Sequence, residues 1–148
     1  MTETNNNDNA TNPDLTLAYL ALRFYVGLQA LIAGTDKFMS NGQFGGIAAY
    51  KTNMIRIADG ISGGSILTSW MTTPYALALP WVLILCGIAI LLGIKSRIAL
   101  FAASLCYISL SIGLGLVRED VYHLGVYMSL AVAALCLNKY NRFALLKD

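Results

Sequence analysis

The sequence predicts an all-α integral membrane protein: an antiparallel four-helix bundle whose long first loop carries an interfacial amphipathic helix. Three observations lead there. Of 148 residues, 57% are hydrophobic and only 12% charged, about half the charge of an ordinary soluble domain. Four apolar runs, at residues 15–33, 74–92, 97–116 and 121–138, each approach the roughly 20 residues that cross a hydrocarbon layer as a helix. None of these runs alternates as a strand would, and a spanning segment must satisfy its backbone groups internally.

The same composition excludes other classes. A net charge of +2 with scattered Lys and Arg does not make a nucleic-acid surface. Cys86, Cys106 and Cys136 lie far apart, so neither a zinc site nor a disulfide framework is expected. Inside apolar runs these thiols act as small hydrophobes.

Residues 1–14 read as a polar, Asn-rich tail, and residues 15–148 as the membrane domain. The start is uncharged to acidic, unlike the cationic opening of a signal peptide. The run 15–33 carries one charge, Arg23. A connection over residues 38–73 follows, rich in Gly, Ser and Asn. Within it Ile47, Tyr50, Met54, Ile57, Ala58 and Ile61 recur on one helical face, which predicts an interfacial helix over 47–59; an irregular loop is the alternative. Gly93-Ile94-Lys95-Ser96-Arg97 forms a basic hairpin between the second and third runs. Val117-Arg118-Glu119-Asp120 turns the chain into the fourth.

Four crossings place both termini and the basic hairpin on one side, with Lys95, Arg97, Lys139, Arg142 and Lys147. The other side holds Lys37, Lys51, Arg56 and Arg118. The compact hairpin favours termini in the cytoplasm by the positive-inside rule.

Arg23 is the sharpest single signal. It lies about 12 Å into the first helix at 1.5 Å per residue, where a charge must meet a partner or a cavity. Tyr19, Arg23, Gly27, Ala30, Gly34 and Lys37 share its stripe. Small residues there allow close helix approach. Either Arg23 serves a site, or it snorkels and bonds carbonyls and tyrosine hydroxyls. His123, the one histidine, shares a stripe with Tyr127 on the fourth helix. The topology brings it to the membrane face that also holds Asp36, Lys37, Glu119 and Asp120. Its plainer reading is a satisfied interfacial residue.

In order along the chain, these pieces resemble the DoxX family of small four-helix membrane proteins. Arg23-Phe24-Tyr25-Val26-Gly27 with Gly34-Thr35-Asp36-Lys37 is similar to that family's opening Arg and Gly-x-x-Lys pattern. Phe44-Gly45-Gly46-Ile47-Ala48-Ala49-Tyr50 is similar to its link to the second helix. Pro80-Trp81-Val82-Leu83, Gly87, Gly93 and Arg97 are similar to its proline start, paired glycines and closing arginine. The resemblance covers about residues 15–147. One position departs: related sequences often place a Glu four residues before Gly87, where this chain has Leu83.

The family includes the small subunit of thiosulfate:quinone oxidoreductase. The resemblance therefore implies a multi-pass subunit of a quinone-linked, sulfur-metabolising oxidoreductase in a bacterial or archaeal cytoplasmic membrane. Its partners would be the bilayer and other membrane subunits or further copies of itself. Arg23, Asp36, Lys37, Glu119, Asp120, His123 and Tyr127 are the candidate site residues. Gly27, Gly34, Gly87 and Gly93 are the candidate helix-packing positions. In a quinone site His123 and Lys37 would donate to the carbonyls and a carboxylate would relay protons. The sequence holds no haem-ligating His pair, Cys cluster or nucleotide loop, so no covalently bound cofactor is expected, and the redox group is a diffusible quinone or a partner's. The alternatives are a non-catalytic accessory subunit that stabilises a larger complex, and a carrier. A carrier would favour broken helices and internal repeats.

Overall fold

The computed structural model describes residues 13–40, 42–64, 68–116 and 122–141. Helix α1 (Pro13–Thr35) opens on proline with Asp14 in its first turn. Proline gives up no needed N–H there, and the acid complements the positive end of the helix dipole. The helix thus starts inside the stretch expected as tail. A single 3₁₀ turn, Asp36–Phe38, ends it.

A short antiparallel ladder follows, β1 (Met39–Ser40) against β2 (Gln43–Phe44), with Met39 opposite Phe44. Gly42 sits between them at φ +76°, a left-handed conformation that glycine adopts without a side-chain clash. This small ladder corrects the all-α expectation.

Helix α2 (Gly46–Gly64) is amphipathic and longer than the expected 47–59. Tyr50, Met54, Ala58 and Ile61 form its buried face. Ile47, expected on that face, is 67% exposed. The helix lies along the N-terminal half of α3 (Ser69–Leu92), where the Tyr50 hydroxyl donates to the Leu77 carbonyl. Phe38, Tyr50 and Trp81 close the junction, with the first two rings stacked at 4.7 Å.

Helix α3 starts at Ser69 rather than at 74, and holds both Pro74 and Pro80. Gly93 closes it at φ +73°. The Gly93 N–H bonds the Ile90 carbonyl at 3.2 Å, and the Ile94 N–H bonds that of Ala89 at 2.9 Å. That pair is a Schellman closure. Gly93, expected as a packing residue, is needed for its backbone instead. Lys95 takes φ +42°, and α4 (Ser96–Leu116) starts at once. Helix α5 (Tyr122–Cys136) follows, and a 3₁₀ turn, Asn138–Tyr140, ends the described chain's last element.

Three segments are long and apolar enough to cross a membrane: Pro13–Phe38, Ser69–Leu92 and Ser96–Gly113. Helix α5 has 15 residues, short of the usual span. The expected fourth run, 121–138, is helical only as far as Cys136. Large apolar side chains cover the outside, among them Leu85 at 66% and Ile112 at 63% exposed. Inside, Val26, Leu83, Ile90, Leu100, Ala103, Tyr107, Ala131 and Ala134 form the main core.

Helices α1 and α3 run antiparallel at very close range. A Cβ at Gly87 would lie 2.9 Å from the Gly27 carbonyl oxygen, and one at Gly34 2.9 Å from that of Pro80. One at Gly27 would meet Leu91 Cγ at 2.7 Å. Backbone obstructs two of the three, so those positions admit only glycine at this spacing. We expect Gly87→Ala to cost about 1–3 kcal/mol, the range for overpacking. Gly125 on α5 has nothing within 4 Å of its would-be Cβ. Gly125→Ala should be neutral or stabilise by up to about 1 kcal/mol. Thermal unfolding of both variants in one detergent checks the pair; similar melting temperatures would contradict the seam.

Candidate functional site

Gly34 meets Pro80 and Ile84, near the middle of α3, so α1 ends about halfway along that helix. Beyond Thr35 the space beside α3, α4 and α5 is covered by α2 rather than filled by α1. A cavity of about 490 Å³ remains there, within the range of small-molecule sites.

Each wall brings a different chemistry. The end of α1 contributes Gln29, Ile32 and Ala33, and its 3₁₀ turn adds Asp36 and Lys37. The Lys37 ammonium lies 3.5 Å from the Asp36 carboxylate. Asn53 of α2 donates to the Lys37 carbonyl at 3.2 Å and to that of Met39 at 3.1 Å. Those two bonds hold the turn, and with it Lys37, against α2. Helix α5 contributes His123, Leu124 and Tyr127. The His123 ring meets Tyr122 edge-on at 5.9 Å, and Tyr127 packs on the buried Tyr107 at 5.9 Å.

The remaining walls are mostly apolar. Met54, Ile57 and Ile61 come from α2, and Ala76, Leu79, Pro80 and Leu83 from α3. Leu83 thus adds an apolar surface to the cavity. Pro80 has no N–H to offer the Ala76 carbonyl one turn earlier. Tyr75 of α3 donates its hydroxyl to Ser109 Oγ of α4 at 2.5 Å, and both line the space.

Four expected site residues thus meet: Asp36, Lys37, His123 and Tyr127. Glu119 and Asp120, with Arg118, lie outside the described residues. Gln29 and Tyr75 went unnoticed in the sequence, although each is polar within or beside an apolar run, and Ser109 reads there only as a small residue of a helix seam. The α2 residues carry no signal for this role, because only packing on α3 brings them to the cavity.

Arg23 does not line this cavity. It is buried toward the opposite end of the bundle, where it donates to the Leu91 carbonyl at 3.0 Å and to Asn141 Oδ1 at 3.1 Å. Asn141 in turn donates to Ser96 Oγ at 3.1 Å. Tyr19 donates to Asn138 Oδ1 at 2.8 Å. The two clusters bind α1, the α3–α4 hairpin and the chain after α5 into one polar clasp. The stripe read from α1 does face inward: Tyr19, Arg23, Gly27, Ala30 and Gly34 are all buried.

Among the described residues no group of His, Cys, Asp and Glu could hold a metal ion. No family model, curated protein or solved structure matches the chain.

The contribution of this clasp to stability is testable. Arg23→Leu leaves the Leu91 carbonyl and Asn141 short of a donor, and should cost about 2 kcal/mol. That corresponds to a drop in Tm of roughly 5–8 °C for a chain of this size. Arg56→Leu, on the exposed face of α2, should shift Tm by less than about 2 °C. Equal melting temperatures for the two variants would contradict the clasp.

Proposed function

We propose that the chain is a membrane subunit of a quinone-linked oxidoreductase, similar in kind to the DoxX family, and that the cavity receives the quinone headgroup. One observation carries the reading: a largely apolar cavity gathers Lys37, Asp36, His123 and Tyr127 from opposite ends of the sequence. A quinone ring needs apolar walls and donors for two carbonyl oxygens. Lys37 and Tyr127 are such donors, and so is His123 when an N–H faces the ring. On reduction each carbonyl oxygen takes a proton. His123 can deliver one, and Asp36 beside Lys37 can pass another from the aqueous side. The electrons come from a partner subunit.

The same reading has the chain cross the bilayer four times as a four-helix bundle, with both termini in the cytoplasm. Supporting it, α5 and the 3₁₀ turn after it together run from Tyr122 to Tyr140. They return the chain to the level of Ser96 and Leu91, where Asn141 meets both Arg23 and Ser96. A bacterial or archaeal cytoplasmic membrane is the setting this function implies.

A second reading, an accessory subunit without catalysis, is favoured by the outward face of α2. Lys51, Arg56 and Asp59 are exposed there, a polar face suited to a protein neighbour at the membrane edge.

Binding separates the two. The purified chain should bind a short-tailed quinone, and His123→Ala should weaken binding by more than about fivefold, roughly 1 kcal/mol. Lys37→Met should act in the same direction, while Arg56→Leu leaves the affinity unchanged. Calorimetry or fluorescence quenching checks this. If the isolated protein binds no quinone while His123→Ala releases it from its complex, the accessory reading replaces the first.

A further inference from the structure

The cavity shares its α3–α4 wall with the outside of the bundle. Tyr75 and Ser109 line the cavity and also line a groove of about 460 Å³ on the outer side of the same helix pair. Leu79 also lines both spaces, and Ala78, Val82, Leu105 and Ile108, all four exposed, form much of the groove's floor and rims. A second outer hollow, of about 310 Å³, again shares Tyr75 and Ser109, together with Ile61 and Gly113. The Tyr75 ring, its hydrogen bond to Ser109 Oγ and the Leu79 side chain therefore stand between inside and outside at this point. Turning the Tyr75 side chain and exchanging its hydrogen bond would open a way past Leu79 between the two spaces. The α1–α3 contact is closed at its glycines, and the hollow of about 570 Å³ beyond them meets the cavity at Ile32 and Asp36.

The two spaces also differ in chemistry. The inner one carries charged and hydrogen-bonding groups, whereas the groove is almost wholly apolar and opens on the face that carries Leu85, Ile108 and Ile112. We propose that the α3–α4 seam is the passage by which a tailed, lipid-soluble ligand occupies the protein: its head lies beside Lys37 and His123, and its isoprenoid or acyl tail passes Tyr75 into the outer groove. The proposal rests on the cavity being a headgroup site. It adds that the ligand belongs to the tailed class and says where the tail lies.

The test uses the full-length purified chain in nanodiscs of one lipid composition, with two probes: a quinone bearing only methyl substituents and the same ring with a decyl tail. In the wild type the tail should improve affinity by about tenfold or more. Ala78→Phe places a ring in the groove from an exposed position, away from the core. It should abolish most of that gain and leave binding of the tail-less ring within about twofold. A decyl quinone with a photoreactive diazirine at its tail end should label the α3–α4 stretches 78–82 and 105–112. Retention of the tail's gain in Ala78→Phe, or labelling confined to α1 or α5, would overturn the passage while leaving the headgroup site standing. If neither quinone binds the wild type, the headgroup reading falls and the passage with it. Should Ala78→Phe fail to fold, the labelling pattern of the wild type alone decides.

Discussion

Everything distinctive in this structure depends on how closely α1 lies against α3. Gly27, Gly34 and Gly87 let the two backbones approach until a single methyl group at Gly87 or Gly34 would strike a carbonyl oxygen at 2.9 Å. Contact at that range fixes the helices lengthwise as well as sideways, because each glycine faces one particular turn of its partner. Gly34 is fixed opposite Pro80 and Ile84, and one residue later α1 ends. The other half of α3 is left without α1 beside it. Helix α2 covers that half from outside, and the cavity is the volume that neither helix fills.

The two polar clusters follow different physics. Arg23 is buried with its guanidinium bonded to a carbonyl and an amide oxygen, and Asn141 passes the connection to Ser96. A buried charge held this way ties down what it touches, since loss of either side leaves a polar group unsatisfied. Around the cavity the charged groups are held loosely. Lys37 and Asp36 meet at 3.5 Å and both keep contact with solvent, while His123 is exposed. Screened pairs of this kind contribute little to stability and exchange partners readily. One end of the bundle is thus held by buried hydrogen bonds, whereas the charged groups at the other are loosely tied.

Much of this was legible in the sequence, for identifiable reasons. Hydropathy marks the long helices because lipid and core both demand apolar side chains along their whole length. The i, i+3, i+4 spacing of Tyr50, Met54, Ala58 and Ile61 marks the buried face of α2, and the parity of the connections brings Lys37 and His123 to one end. Other features escaped. The start of α3 at Ser69 was hidden by Thr72 and Thr73, which read as loop, and by Pro74, which reads as the opening residue of the run although it lies in the second turn of the helix. The Asn41-Gly42 pair is a hairpin signal lost within a connection rich in such residues. The partners of Tyr19 and Arg23, Asn138 and Asn141, stand more than a hundred residues away, beyond any local pattern. The cavity itself has no sequence signature, because it arises where a helix stops.

The early end of α1 leaves a chamber between α2 and the remaining helices, and its proposed occupant is a tailed quinone. Native mass spectrometry of the protein extracted in mild detergent tests it directly, with Ala76→Trp for comparison. Ala76 is buried at the cavity wall, so an indole there fills the space. One tailed quinone should travel with each wild-type chain and be absent from a folded Ala76→Trp protein. Wild-type protein free of any such adduct, or the same adduct at equal occupancy in Ala76→Trp, would contradict the account.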